Sequence, residues 1–152
     1  MSVNTKIKNG RKRMKTPLFK PQTEWLPPTD FPNLDKYDEI AIDLETKDPN
    51  LNERMGSGSV VGVGDVVGIS LATHDWCAYY PIAHEGGGNM DRKIVLNWFQ
   101  DQMKTDSTKI FHNAMYDVCW LRRLGIKIQG QIVDTMIAAS LVDENRFRYD
   151  LN

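Results

Sequence analysis

The chain has 152 residues, 41% hydrophobic and 26% charged, which fits about one globular domain on a scale of ~100–200 residues each. The longest apolar run, 136–142 with Ser140 inside it, is too short to span a bilayer, and no hydrophobic segment follows the basic start. These features exclude a membrane span and a secretory leader on this reading, and a cytoplasmic protein is expected.

The formal net charge of −1 averages two unlike parts. Residues 1–20 hold Lys6, Lys8, Arg11, Lys12, Arg13, Lys15 and Lys20 and no acid, whereas the remainder carries twelve basic and twenty acidic side chains. Two readings of the basic arm stand: contact with a polyanion through displaced counterions, or a solvated terminus. Cys77 and Cys119 form no CxxC pair, so they are expected as small core residues in a reducing compartment. Pro21, Pro27, Pro28 and Pro32 mark 20–36 as extended, with Trp25 and Leu26 expected to pin it to the body.

Strict alternation opens the ordered region at 39–46, with Ile40, Ile42 and Leu44 on one strand face and Asp43 and Glu45 on the other. A loop containing Gly56, Gly58, Gly62 and Gly64 follows. Strands are expected at 66–73 and 76–82 about a turn at His74 and Asp75. The period then becomes helical, with Ile94, Val95, Trp98, Phe99 and Met103 forming an apolar stripe over 91–104. A strand at 109–112 leads to a helix capped by Asn113 and ended near Gly125. Ile132 and Val133 read as a last strand, and Asp134 as the cap of a helix reaching about Val142. An early meander followed by parallel crossovers gives an α/β fold, a mixed sheet flanked by helices.

Three acids stand out. Asp43 and Glu45 project two residues apart from one strand face, where like charges raise each other's pKa unless a cation separates them; solvent exposure is the plainer reading. Asp117 falls on the helix side that should face the sheet, costly for a carboxylate unless it is paired or ligates a metal; a rotated helix would instead put it in water. Converging oxygen donors favour Mg²⁺ or Mn²⁺ over zinc, and paired ions of this kind cleave phosphodiesters. Tyr116 and Asn113 lie close enough in sequence to contact a substrate there. The run from Gly62 to Gly68 imitates a dinucleotide fingerprint but precedes a strand and does not open a helix, so it is set aside.

These residues resemble the proofreading 3′–5′ exonuclease domain of phage-type family A DNA polymerases, within the ribonuclease H-like (DEDD) exonuclease superfamily. The first motif, Asp-x-Glu, stands as Asp43-Leu44-Glu45-Thr46; the second, Asn-x-x-Tyr-Asp, as Asn113-Ala114-Met115-Tyr116-Asp117. Tyr80-Pro81-Ile82-Ala83-His84 and Val133-Asp134-Thr135-Met136 resemble two further segments of the family. The resemblance implies a ribonuclease H-like fold in which Asp43, Glu45 and Asp117 are catalytic and bind two divalent ions, Mg²⁺ or Mn²⁺. It further implies that Thr46 and Asn113 contact a single-stranded DNA 3′ end, and that His84 and Asp134 are structural. The family's third motif, Tyr-x-x-x-Asp, has no match here, since Tyr149 and Asp150 are adjacent. The resemblance therefore implies a C-terminally incomplete exonuclease domain over 38–152, preceded by an arm and linker over 1–37. A companion polymerase chain would supply the third motif; the alternative is a catalytically incomplete nucleic-acid-binding or polymerase-assembly module.

Overall fold

The computed structural model describes residues 25–54 and 56–151; the basic arm expected over 1–20 lies outside the described residues. Its elements run β1 (Glu39–Lys47), α1 (Gly58–Val61), β2 (Asp65–Ala72), β3 (Cys77–Pro81), α2 (Arg92–Met103), β4 (Thr108–Phe111), α3 (Ala114–Arg123), β5 (Ile132–Asp134) and α4 (Thr135–Val142). The strands form one five-stranded sheet in the order β3-β2-β1-β4-β5. β1 sits at its centre, antiparallel to β2 and parallel to β4. This is the mixed sheet expected from an early meander followed by parallel crossovers. Only α1 was not anticipated, because a four-residue helix between glycines leaves no periodicity to detect.

Alternation in β1 sorts its side chains. Ile40, Ile42 and Leu44 are buried, and they join Ile69 and Leu71 of β2, Tyr80 of β3, Val95, Phe99 and Met103 of α2, and Trp120 and Leu121 of α3 in one core. Each such large apolar side chain contributes roughly 1.5–3 kcal/mol when fully buried. Ile94, counted in the α2 stripe, instead faces outward. Asp91 caps α2 by accepting from the Lys93 and Ile94 amides at 2.9 and 3.1 Å.

The proline-rich segment is pinned at Trp25, as expected, by the packing of its ring on Tyr79, but not at Leu26. Leu26 is exposed, while Leu34 is fully buried and its amide donates to Gln102 Oε1 at 2.8 Å. Phe31 stacks on Tyr80 with centroids 5.6 Å apart, and Trp98 Nε1 donates to the Pro32 carbonyl at 2.9 Å. Further anchoring falls at 31–34 because α2 offers aromatic and amide partners there. Cys77 is also not a core residue: it is exposed at the start of the edge strand β3, and both cysteines are free thiols.

One cation is buried in the core layer. Lys109 has no exposed surface, and its ammonium donates to the Thr105 carbonyl and, at 3.0 Å each, to Thr105 Oγ1 and the Ser107 carbonyl. Burial pushes its pKa down, with the Asp106 charge opposing.

The end of β1 meets the loop before β2 at Gly64, whose φ is +76° and whose missing Cβ leaves room for the Lys47 carbonyl and the Pro49 ring. Gly64→Ala would force an L residue into left-handed backbone against main-chain oxygen. It is expected to cost about 2–3 kcal/mol and to lower the melting temperature by roughly 6–10 °C, read by circular dichroism. An unchanged melting temperature would contradict this packing.

Candidate active site

β4 pairs with β1 only over Glu39 to Ala41, so the second half of β1 runs free of it and meets the N-terminus of α3. Asp43 and Glu45 stand on this free half, exposed, on the sheet face opposite the core. A register shift between Glu45 and Thr46 in the β1–β2 pairing turns the strand beside the two acids. Asp117 lies in the first turn of α3 and is only 3% exposed, so water does not solvate it as the rotated-helix reading required. Burial and then the Asp43 charge push its pKa up to about 7, with the Leu44 backbone amide partly offsetting them and Asp134 and Glu45 adding to the rise.

The turn into α3 differs from the expected cap. Asn113 takes φ 64° and ψ 55°, left-handed backbone that Asn tolerates better than most residues, and its side chain makes no capping bond. Asp134 does that work from β5. Its Oδ1 accepts from the Asn113 and Met136 amides at 3.0 and 2.9 Å, and its Oδ2 from the Ala114 amide at 2.8 Å. One carboxylate thus caps α3 and α4 together. Desolvation works upward on its pKa, but the backbone amides prevail and hold it below the usual carboxylate range. The expectation that Asp134 caps α4 holds; its second helix was invisible in the sequence.

Thr46 and Tyr116 are brought together, with their hydroxyl oxygens 2.7 Å apart. Tyr116 donates to Asp48 Oδ2 at 3.1 Å, so Thr46 is left to donate to Tyr116. Asp48 Oδ1 accepts from the Asn50 and Gly58 amides at 2.8 Å each, tying the loop after β1 to α1. Asp48 carries no sequence signal that distinguishes it from a loop acid. On the open sheet face, an apolar groove of about 580 Å³ runs from Asp43 past Ala72 and Tyr79 to Trp25 and Leu151.

Among the described residues, Asp43, Glu45 and Asp117 enter no ion pair. Nor do any three His, Cys, Asp or Glu side chains among them converge closely enough to hold a metal ion. The donor chemistry nevertheless suits a hard divalent cation, because all three groups are carboxylates. Asp117 is fixed and buried while Asp43 and Glu45 are exposed and free to turn toward it. A cation between Asp43 and Asp117 would relieve the repulsion that raises Asp117.

Among the described residues no helix is long and apolar enough to cross a membrane. A family model described as 3′–5′ exonuclease matches residues 31–152. The DNA-directed DNA polymerase of Pseudomonas phage M6 is 32% identical over 146 residues, covering 91% of this chain and 22% of that protein. The chain spans about a fifth of the length of the curated relatives it matches. Brucella melitensis NrnC bound to pGG shares the fold with a TM-score of 0.54 at 20% identity, over 82% of this chain and 53% of that one. The same protein with bound Mg²⁺ gives 0.52 at 22% identity, over 83% and 55%. The sheet order, the acids on β1 and α3 and these matches converge, and the chain belongs to the 3′–5′ exonuclease family of A-type DNA polymerases.

Proposed function

We propose that this chain forms the carboxylate half of a 3′–5′ exonuclease site that removes unpaired nucleotides from single-stranded DNA 3′ ends, in the host cytoplasm of a phage infection. The observation that carries the reading is the buried Asp117 facing Asp43 and Glu45, with no cation paired to any of them among the described residues. Asp43, Glu45 and Asp117 would hold two divalent ions, Mg²⁺ or Mn²⁺. Such ions supply an activated water for in-line attack and charge neutralisation at the leaving 3′ oxygen.

The chain's own residues do the rest. Asp117, anchored by α3, would be the fixed ligand, and Asp43 and Glu45 on β1 would complete the donor set. Thr46, Asn113 and Tyr116 border the entry and contact the terminal nucleotide, with the Tyr116–Asp48 bond holding the phenol in place. A companion polymerase segment supplies the third motif and its fourth carboxylate.

The experiment is digestion of a 5′-labelled single-stranded oligonucleotide with Mn²⁺, comparing wild type with Asp43→Ala. A loss on the order of 10²–10³-fold is expected, as when one transition-state-stabilising group is removed. Measurable degradation by the wild type that Asp43→Ala matches would sink the assignment of Asp43. A second reading, a module that binds nucleic acid or assembles with a polymerase without catalysis, is favoured by the absence of a closed three-ligand cluster among the described residues. It predicts oligonucleotide binding that is indifferent to Asp43→Ala and to chelators.

A further inference from the structure

The residues around Glu45 contain an arrangement that the proposed chemistry does not use. In the β1–β2 ladder Glu45 lies directly opposite Gly68, and Asp43 opposite Ser70. In the β2–β3 ladder Ser70 lies opposite Tyr79. Directly opposed residues share a sheet face, so Asp43, Ser70 and Tyr79 form one row on the open face and Glu45 and Gly68 begin the next. Tyr79 does not stand upright in its own row. A Cβ placed on Gly68 would overlap the phenol oxygen and ring carbons of Tyr79, so the ring leans diagonally across the gap that this glycine leaves. Opposed side chains in such a ladder begin about 5 Å apart, which brings the phenol oxygen beside the Glu45 side chain.

Two further contacts lock that pose. The Tyr79 phenol is hydrogen-bonded to His84 Nε2, and the Trp25 ring packs on Tyr79 with centroids 5.8 Å apart. His84 is itself fixed at both backbone groups: its amide donates to Asn89 Oδ1 at 2.7 Å, and its carbonyl accepts from Asn89 Nδ2 at 2.8 Å. A glycine vacancy, a ring contact and a twice-tethered histidine thus direct one phenol toward one end of β1.

We infer that Tyr79, oriented by His84, is a positioning residue that holds the Glu45 carboxylate in its metal-binding rotamer. With His84 Nε2 donating to the phenol oxygen, the single phenol proton is left for Glu45. A tyrosine phenol ordinarily holds its proton at neutral pH, so that proton is available to Glu45. Glu45 is exposed and otherwise free to rotate, which is why it gains from an outer partner. The inference rests on the proposed metal site.

The test is a titration of the 152-residue chain with Mn²⁺ at pH 8, with free ion read by electron paramagnetic resonance. Tyr79→Phe keeps the ring over Gly68 and removes only the hydroxyl. It is expected to weaken Mn²⁺ binding about tenfold, the low end of the range for outer partners of metal ligands, with an unchanged melting temperature. His84→Ala should do the same, and His84→Gln, whose amide can donate to the phenol, should recover most of the affinity. A purely structural role would not produce that recovery. Tyr79→Phe within twofold of wild type, or His84→Gln no better than His84→Ala, would overturn the inference. Asp43→Ala is the reference: if it loses binding while Tyr79→Phe retains it, only the positioning role fails. If Asp43→Ala also binds like wild type, the metal site fails and the inference with it.

Discussion

Asp117→Asn is expected to make the metal-free protein more stable at pH 8 while removing its nuclease function. The wild-type carboxyl has its pKa raised to about 7 by burial and by the Asp43 charge. A carboxyl whose folded pKa exceeds its unfolded value binds its proton more tightly in the native state. Stability from this group is therefore present at low pH and is lost as pH rises from about 4 through about 7. Above that range the wild type keeps a destabilising buried charge, and asparagine, which retains an oxygen for the Leu44 amide, does not. The gain is expected to be about 2 kcal/mol after allowance for relaxation and water entry, or roughly 4–8 °C in melting temperature.

The check is thermal denaturation in EDTA at pH 4 and pH 8. The two proteins should melt together at the lower pH and separate at the higher, and a variant less stable than wild type at pH 8 would contradict the account. Added Mg²⁺ should raise the melting temperature of the wild type only, since a ligand stabilises a fold by binding it. A residue that weakens the fold for the sake of a site follows the usual trade-off between stability and function.

Asp134→Ala should act in the opposite sense and through backbone alone. The carboxylate accepts from the Asn113 and Ala114 amides of α3 and from the Met136 amide of α4. Each lost cap costs about 0.5–2 kcal/mol, so two together should cost about 1–4 kcal/mol. The melting temperature should fall by roughly 3–12 °C. Because the folded pKa of Asp134 is lowered, its contribution is present above the unfolded value near 4 and disappears as pH falls through the folded one. The wild-type and variant melting temperatures should therefore draw together as the pH falls below the unfolded carboxylate value. Asp134→Asn, which keeps one acceptor oxygen, should fall between the two, and an alanine variant as stable as wild type at pH 7 would refute the double cap. Since α3 also carries Asp117 and Tyr116, this variant should lose activity more than its stability alone explains.

How far the sequence reveals this molecule depends on the range of each interaction. The strands were legible because alternation at Ile40, Ile42 and Leu44 is a local property that burial on one face enforces. The placement of Asp43 and Glu45 on the other face followed from the same period. Asp117 was readable as an anomaly on a core-facing stripe, yet its burial needed the structure, because helix rotation is set by packing. Asn113 misled: its residue type serves both a cap and left-handed backbone, and only the φ of 64° separates them. Cys77 misled because small apolar residues usually lie inside, whereas this one begins an edge strand. Asp48, the second helix of Asp134 and the Gly68–Tyr79–His84 arrangement each join residues from separate elements. No local pattern carries such contacts, so they stay hidden until the chain is folded.

The proposed metal site is built from the acids of β1 and α3. Isothermal titration with Mg²⁺ at pH 8 on wild type and Asp117→Asn tests it most directly. Saturable binding by the wild type in the millimolar range or tighter is expected, and at least about tenfold weaker binding by the variant. Equal binding by both proteins, or none by the wild type, would contradict it.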